Sequence, residues 1–196
     1  MLERGKSGIM EYWNNGTLGR AGCSESIPSF HHSTIPFSHS HGFMLFLIGL
    51  LLAEADPHVE VFDLLHNTLG RLDEADCPWP AVLAYYQWRL LKLAGLLGEL
   101  AACASCGREI AGRGRRDMHF SSTAGGLLCG ACEGSATEKY RLDGRTTAGI
   151  AAMAAAEAGK KVLLPAPQAQ AVNRLLLYHV TQQTGKAPRM GRHAIP

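Results

Sequence analysis

From Phe43 onward the chain alternates apolar runs with short polar breaks, and the apolar positions recur at a helical period. The run FMLFLIGLLLA, Phe43 to Ala53, is apolar on every side and predicts a buried helix. Asp56-Pro57 then signals a new start, because Asp can cap a helix and Pro fits its first turn. The helix behind it places Val61, Leu64, Leu65, Thr68 and Leu72 on one face. DEADCPWP interrupts the pattern, and a longer helix is predicted from about Ala81 to Leu100. Val82, Tyr85, Tyr86, Trp88, Leu91 and Leu93 cover more of it than one stripe, which suits the centre of a bundle.

Further on, TTAGIAAMAAAEAGKK reads as an alanine-rich helix, with Thr146 or Thr147 as its expected cap and lysines at its exit. LPAP breaks it. The last helix, about Gln168 to Thr184, turns Val172, Leu175, Leu176, His179 and Val180 inward and stops at Gly185. No internal repeat is visible, and no convincing strand pair lies outside the stretch from about 101 to 134.

Residues 1–42 differ. They hold NNG, SIPSF and HHSTIPFSHSH, without a period of 2 or 3.6, and read as an irregular polar arm. His31, His32, His39 and His41 form a tract that could bind a metal, but no carboxylate or cysteine stands beside them, so a polar arm is the expected reading. The apolar run at Phe43 gives about 16 Å of helix, too short for a bilayer core of about 30 Å. No Lys or Arg falls between Arg20 and its first residue, so it does not read as a secretory signal either. The expected location is cytoplasmic and nucleoid-associated, with no membrane partner.

With 46% hydrophobic and 18% charged residues the chain can bury a core. A net charge of +2 excludes a globally basic nucleic-acid binder and confines any anion-binding surface to a local patch. The chemistry concentrates in CASCGREIAGRGRRDMHFSSTAGGLLCGAC, which carries four of the six cysteines. A C-x-x-C turn offers two thiolates to one tetrahedral metal, and Cys103 with Cys106 and Cys129 with Cys132 supply two such turns. Gly107, Gly125 and Gly126 are expected to let backbone N–H groups turn toward the sulfurs. Four thiolates close the coordination shell, which argues against a catalytic metal. The paired spacing favours a structural Zn2+ over a redox pair or an iron–sulfur cluster. The expected fold is therefore mainly α: a helical bundle at 43–196 with an inserted four-cysteine zinc ribbon at about 101–134. No Ser/His/Asp or paired-carboxylate constellation points to an enzyme.

Two basic stretches stand out: Arg113, Arg115 and Arg116 between the cysteine pairs, and Lys186, Arg189 and Arg192 near the end. By themselves they read equally well as phosphate contacts or as a solvated loop and tail.

QWRLLKLAGLLGELAACASCGREI followed by FSSTAGGLLCGAC resembles the C-terminal region of the bacterial RecO recombination mediators. The likeness runs through Leu90, Leu91, Gly95, Cys103, Cys106, Gly107, Phe120, Gly125, Gly126, Cys129 and Cys132. Upstream, Phe62, Leu64, Leu65 and Leu69 are in register with the family's preceding helix. Downstream, VNRLLLYHVTQQTGKAPRMGR is similar to its closing helix and tail. The resemblance covers about residues 43 to 192. It implies a DNA repair and recombination mediator of the RecF pathway that binds single- and double-stranded DNA and anneals strands. It also implies contacts with RecR and the C-terminal tail of single-stranded DNA-binding protein, and help in loading RecA. Under it, Arg113, Arg115, Arg116, Lys186, Arg189 and Arg192 become candidate DNA contacts. Family members begin with an OB-fold barrel, and residues 1–42 are too few and too polar for one. The barrel is expected to be lost from this chain or to lie upstream of Met1. The alternative is a zinc-clipped helical protein-interaction module that binds no DNA.

Overall fold

The computed structural model describes residues 37–52, 58–73, 77–110, 118–157, 164–189 and 191. Among them are five helices: α1 (Phe37–Leu51), α2 (Val59–Leu72), α3 (Trp79–Leu93), α4 (Gly144–Glu157) and α5 (Ala166–Thr184). Three short strands, β1 (Met118–Ser121), β2 (Gly126–Leu128) and β3 (Tyr140–Leu142), form an antiparallel sheet of order β2-β1-β3. The protein is mainly α, with the sheet set between α3 and α4 in the chain.

Helix α3 is the axis of the bundle, as its all-round apolar sequence predicts. Every residue from Pro80 to Trp88 is buried, and α1, α2 and α5 pack on it. Phe43, Met44 and Leu47 of α1 are fully enclosed, and the Tyr86 hydroxyl donates to the Met44 carbonyl at 2.9 Å. In α2, Val61, Thr68 and Leu72 are buried and Leu64 and Leu65 half-buried, so the predicted stripe faces inward. The contact of α3 with α5 contains a buried polar pair. Gln87 Nε2 donates to Asn173 Oδ1 at 2.8 Å, and Asn173 Nδ2 donates to the Pro80 carbonyl at 2.8 Å.

Several boundaries differ from the sequence expectation, each for a local reason. Helix α1 begins at Phe37 instead of Phe43, so the helix reaches into the stretch expected to be irregular; SHSH carries no apolar period that would reveal it. Helix α3 ends at Leu93 instead of Leu100. Gly95 takes φ +70°, its N–H donates to the Lys92 carbonyl, and the Leu96 N–H donates to the Leu91 carbonyl. That pair of bonds is the Schellman ending, which a left-handed glycine makes cheap. Helix α4 is capped by Asp143, not by Thr146 or Thr147. The Asp143 carboxylate accepts from the Thr146 N–H and hydroxyl, both at 2.7 Å, and these bonds hold its pKa below the usual range. Helix α5 ends as predicted, at Gly185 in the left-handed conformation. The Asp56-Pro57 start lies outside the described residues, and α2 begins just after it at Val59.

Strand β3 was not expected. It pairs with the outer side of β1, Met118 opposite Leu142 and Phe120 opposite Tyr140, and carries the ribbon sheet past residue 134. Among the described residues, no helix is long and apolar enough to cross a membrane.

Candidate metal centre

The first cysteine pair sits on a turn of its own, reached after the chain has left α3 at Gly95. Ala102 bridges Glu109, the Cys103 N–H donates to the Arg108 carbonyl, and the Gly107 N–H returns to the Cys103 carbonyl, both at 2.8 Å. Gly107 has φ +70°, which closes this knuckle. The second pair follows β2 directly, and its turn is closed by the Cys132 N–H on the Cys129 carbonyl at 2.9 Å. The Ala104 N–H donates to the Leu127 carbonyl and binds the two knuckles side by side.

The four sulfurs of Cys103, Cys106, Cys129 and Cys132 all lie within 4.8 Å of one another. Those of Cys106 and Cys129 are 3.7 Å apart. A tetrahedral metal with bonds to sulfur of about 2.3 Å needs neighbouring sulfurs about 3.8 Å apart. The four cysteines are free thiols, and their spread fits that requirement. Among the described residues this is the one cluster of three or more His, Cys, Asp or Glu that could hold a metal ion.

Backbone donors prepare the sulfurs for negative charge. Burial pushes the Cys103 thiol up, but N–H groups of Cys129, Cys106 and Ser105 aimed at its sulfur outweigh this and bring it to about 6. The N–H groups of Ala131 and Cys132 lower Cys129 in the same way. At Cys132 the Ser105 hydroxyl lowers the pKa, yet the facing Cys106 and Cys129 thiols prevail and raise it to about 11. The opposed shifts have two causes: backbone N–H groups favour the thiolate at Cys103 and Cys129, while the facing sulfurs resist a further charge at Cys132.

Backbone N–H groups do turn toward the sulfurs as expected, and they belong to Ser105, Cys106, Cys129, Ala131 and Cys132 and not to the glycines themselves. The Gly107 N–H goes to a carbonyl, not a sulfur. At Gly126 a Cβ would stand 3.0 Å from the Ala104 Cβ, and at Gly125, with φ +65°, 3.0 Å from the Leu96 carbonyl oxygen. Gly125 makes room for the ribbon to close against the turn after α3, and Gly126 for the two knuckles to close on each other.

The ribbon is fastened to α5 by side chains that the sequence reading did not single out. Glu138 accepts from the Ser122 N–H at 2.7 Å and the Thr123 N–H at 3.3 Å, and Tyr178 of α5 donates its hydroxyl to the same carboxylate. Burial and this carboxylate push the Tyr178 phenol up to about 12, so it stays a donor at ordinary pH. Gln183 Nε2 donates to the Ser122 carbonyl at 2.6 Å, and Tyr140 lies against Tyr178 with ring centroids 4.8 Å apart. Nδ1 of the half-buried His119 lies 2.7 Å from the Glu133 carboxylate. Glu138 and Tyr178 are 40 residues apart, so no local spacing marks them.

Of the six basic candidates, Lys186 and Arg189 are exposed just beyond α5. Arg113, Arg115, Arg116 and Arg192 lie outside the described residues, as do His31 and His32.

Comparison with known proteins places these features in a family. The family model described as "Recombination protein O C terminal" matches residues 41–193. The chain is 36% identical over 117 residues to a DNA repair protein RecO of Anaeromyxobacter dehalogenans, a match covering 60% of this chain and 38% of that protein. It is 33% identical over 119 residues to a DNA repair protein RecO of a Synechococcus species, covering 59% and 38%. A DNA repair protein RecO of Moorella thermoacetica is 41% identical over 78 residues, covering 39% and 27%. The matched segments thus span well under half the length of these relatives.

Proposed function

The chain belongs to the RecO family through its C-terminal region, and from that membership we propose that it serves DNA repair as a non-catalytic recombination mediator. The observation that carries this reading is the family match from residue 41 to residue 193, which includes all four cysteines. In the proposed role the protein binds single- and double-stranded DNA, assists strand annealing and the loading of RecA, and works with RecR and the tail of single-stranded DNA-binding protein.

The metal in this reading is zinc. Four thiolates at tetrahedral spacing suit Zn2+, and a closed all-sulfur shell suits a structural ion. Cys103, Cys106, Cys129 and Cys132 would hold it, and its contribution is to lock the two knuckles together. The exposed Lys186 and Arg189, with Arg113, Arg115, Arg116 and Arg192, are the proposed phosphate contacts.

Titrating the protein against a fluorescent single-stranded oligonucleotide from about 50 to about 200 mM salt tests the DNA reading. Affinity should fall steeply across that range, because each neutralised phosphate releases counterions. Undetectable or salt-independent binding would overturn it. Elemental analysis under reducing conditions tests the metal, with about one zinc per chain expected and less than about half an equivalent counting against the site.

A further inference from the structure

The four thiols of the centre differ in their access to solvent. Cys103 is buried, at 2% exposure, and its sulfur accepts the Cys129 N–H at 3.4 Å. Cys129 and Cys132 are half-buried, and Cys106 alone of the four is exposed. The sulfur of Cys129 stands 3.7 Å from that of Cys106, and all four sulfurs lie within 4.8 Å of one another. A water-borne oxidant therefore meets Cys106 first, and a second thiolate from the opposite knuckle is already beside it.

Building on the metal reading above, we infer that the centre is a redox switch: a peroxide oxidises Cys106, Cys129 resolves it, and the resulting cross-knuckle disulfide expels the metal. In the first step the Cys106 thiolate attacks one peroxide oxygen. An S–O bond forms, the O–O bond breaks, and hydroxide leaves. In the second, the Cys129 thiolate attacks the Cys106 sulfur. An S–S bond forms, the S–O bond breaks, and a second hydroxide leaves. The two sulfurs together lose two electrons, the peroxide gains them, and two solvent protons turn the hydroxides into water. The metal then keeps only Cys103 and Cys132 of its four ligands, too few to retain a structural zinc.

The switch acts locally because the sheet is not attached to the bundle through the cysteines. Glu138 on Tyr178, Ser122 on Gln183, and Phe120 edge-on to His179 at 5.1 Å all hold it to α5 independently. The oxidised chain thus keeps its helical bundle, and a thiol reductant reopens the site for the metal.

The test treats the zinc-loaded chain with hydrogen peroxide. Released zinc is followed with a chelating dye, helicity by circular dichroism, and disulfides by mass spectrometry of non-reduced peptides. The expected result is release of all bound zinc as about two thiols per chain disappear, a Cys106–Cys129 peptide, retained helicity, and zinc uptake restored by reductant. Zinc retained under peroxide, or a disulfide mapped within one C-x-x-C pair, overturns this inference and leaves the metal reading intact. A purified chain with no zinc before peroxide overturns the metal reading, and this inference with it.

Discussion

His179, inside α5, places its Nε2 2.9 Å from the carbonyl oxygen of Leu96, in the turn that ends α3. A carbonyl only accepts, so Nε2 carries the proton and Nδ1 is bare. Nδ1 is buried and has no hydrogen-bond partner among the described residues. Burial holds the His179 pKa below its ordinary 6.5, against the smaller upward pull of the Leu96 carbonyl and the Glu138 charge. The unfolded chain therefore binds this proton more readily than the folded one. Its contribution to stability is complete above about pH 6.5 and is lost as pH falls toward the lowered folded value. Urea midpoints measured from about pH 7.5 to about pH 5.5 should decline, and His179→Gln, which keeps a donor without titrating, should flatten that slope. An unchanged slope in the variant would remove His179 from this account.

Two glycines predict opposite outcomes for the same substitution. A Cβ on Gly149 of α4 would fall 2.4 Å from Val172 Cγ2 and 3.2 Å from the Gln168 carbonyl oxygen, where α4 crosses α5. Gly149→Ala should destabilise the chain by about 1–3 kcal/mol, because overpacking outweighs the better helix propensity of alanine. Gly70 of α2 has nothing within 4 Å of such a Cβ, so Gly70→Ala should stabilise by about 0.5–1 kcal/mol. Thermal melts of the two variants check the signs directly.

The contrast between local and distant signals explains what could be read in the chain. The bundle was legible because α2, α3 and α5 carry their burial pattern in their own sequences, down to the enclosed run from Pro80 to Trp88. The four cysteines were legible because a C-x-x-C spacing is itself a geometry. The end of α3 was hidden because Leu96, Leu97 and Leu100 continue an apolar pattern after Gly95 has turned the chain. Strand β3, the three residues Tyr-Arg-Leu, is too short to show an alternation, and its pairing with β1 is a tertiary fact. The Glu138–Tyr178 and His179–Leu96 contacts join residues tens of positions apart, so only the folded chain brings them together.

The Gln87–Asn173 pair predicts a marked failure of additivity. Asn173→Leu alone leaves Gln87 Nε2 and the Pro80 carbonyl without this partner in a closed interface, and should cost about 1–3 kcal/mol. Gln87 Oε1 already has no partner among the described residues, so replacing Gln87 as well removes a burden. The double variant Gln87→Leu/Asn173→Leu should be more stable than the sum of the single effects implies, by about 0.5–3 kcal/mol. A double-mutant cycle by urea denaturation measures this, and simple additivity would show that the pair does not act as a unit.

Chelation should loosen the ribbon and spare the bundle. The knuckles around Cys103 and Cys129 are closed by short turn bonds and by whatever the four sulfurs hold. The α3–α5 contact includes instead the buried Gln87–Asn173 pair, and Leu83 and Trp88 of α3 and Val172 and Leu176 of α5 are each at most 1% exposed. In hydrogen exchange under reducing conditions, a strong chelator should therefore speed exchange at residues 102–110 and 126–133 while α3 and α5 stay protected. The same geometry ranks the ligands. Cys103→Ser puts a hydroxyl in a buried position shaped for a thiolate, whereas Cys106→Ser alters an exposed one. Cys103→Ser should lower the melting temperature more than Cys106→Ser, by a margin worth about 1 kcal/mol or more. Equal losses would mean that the metal alone, and not the burial of Cys103, sets the stability of the knuckle.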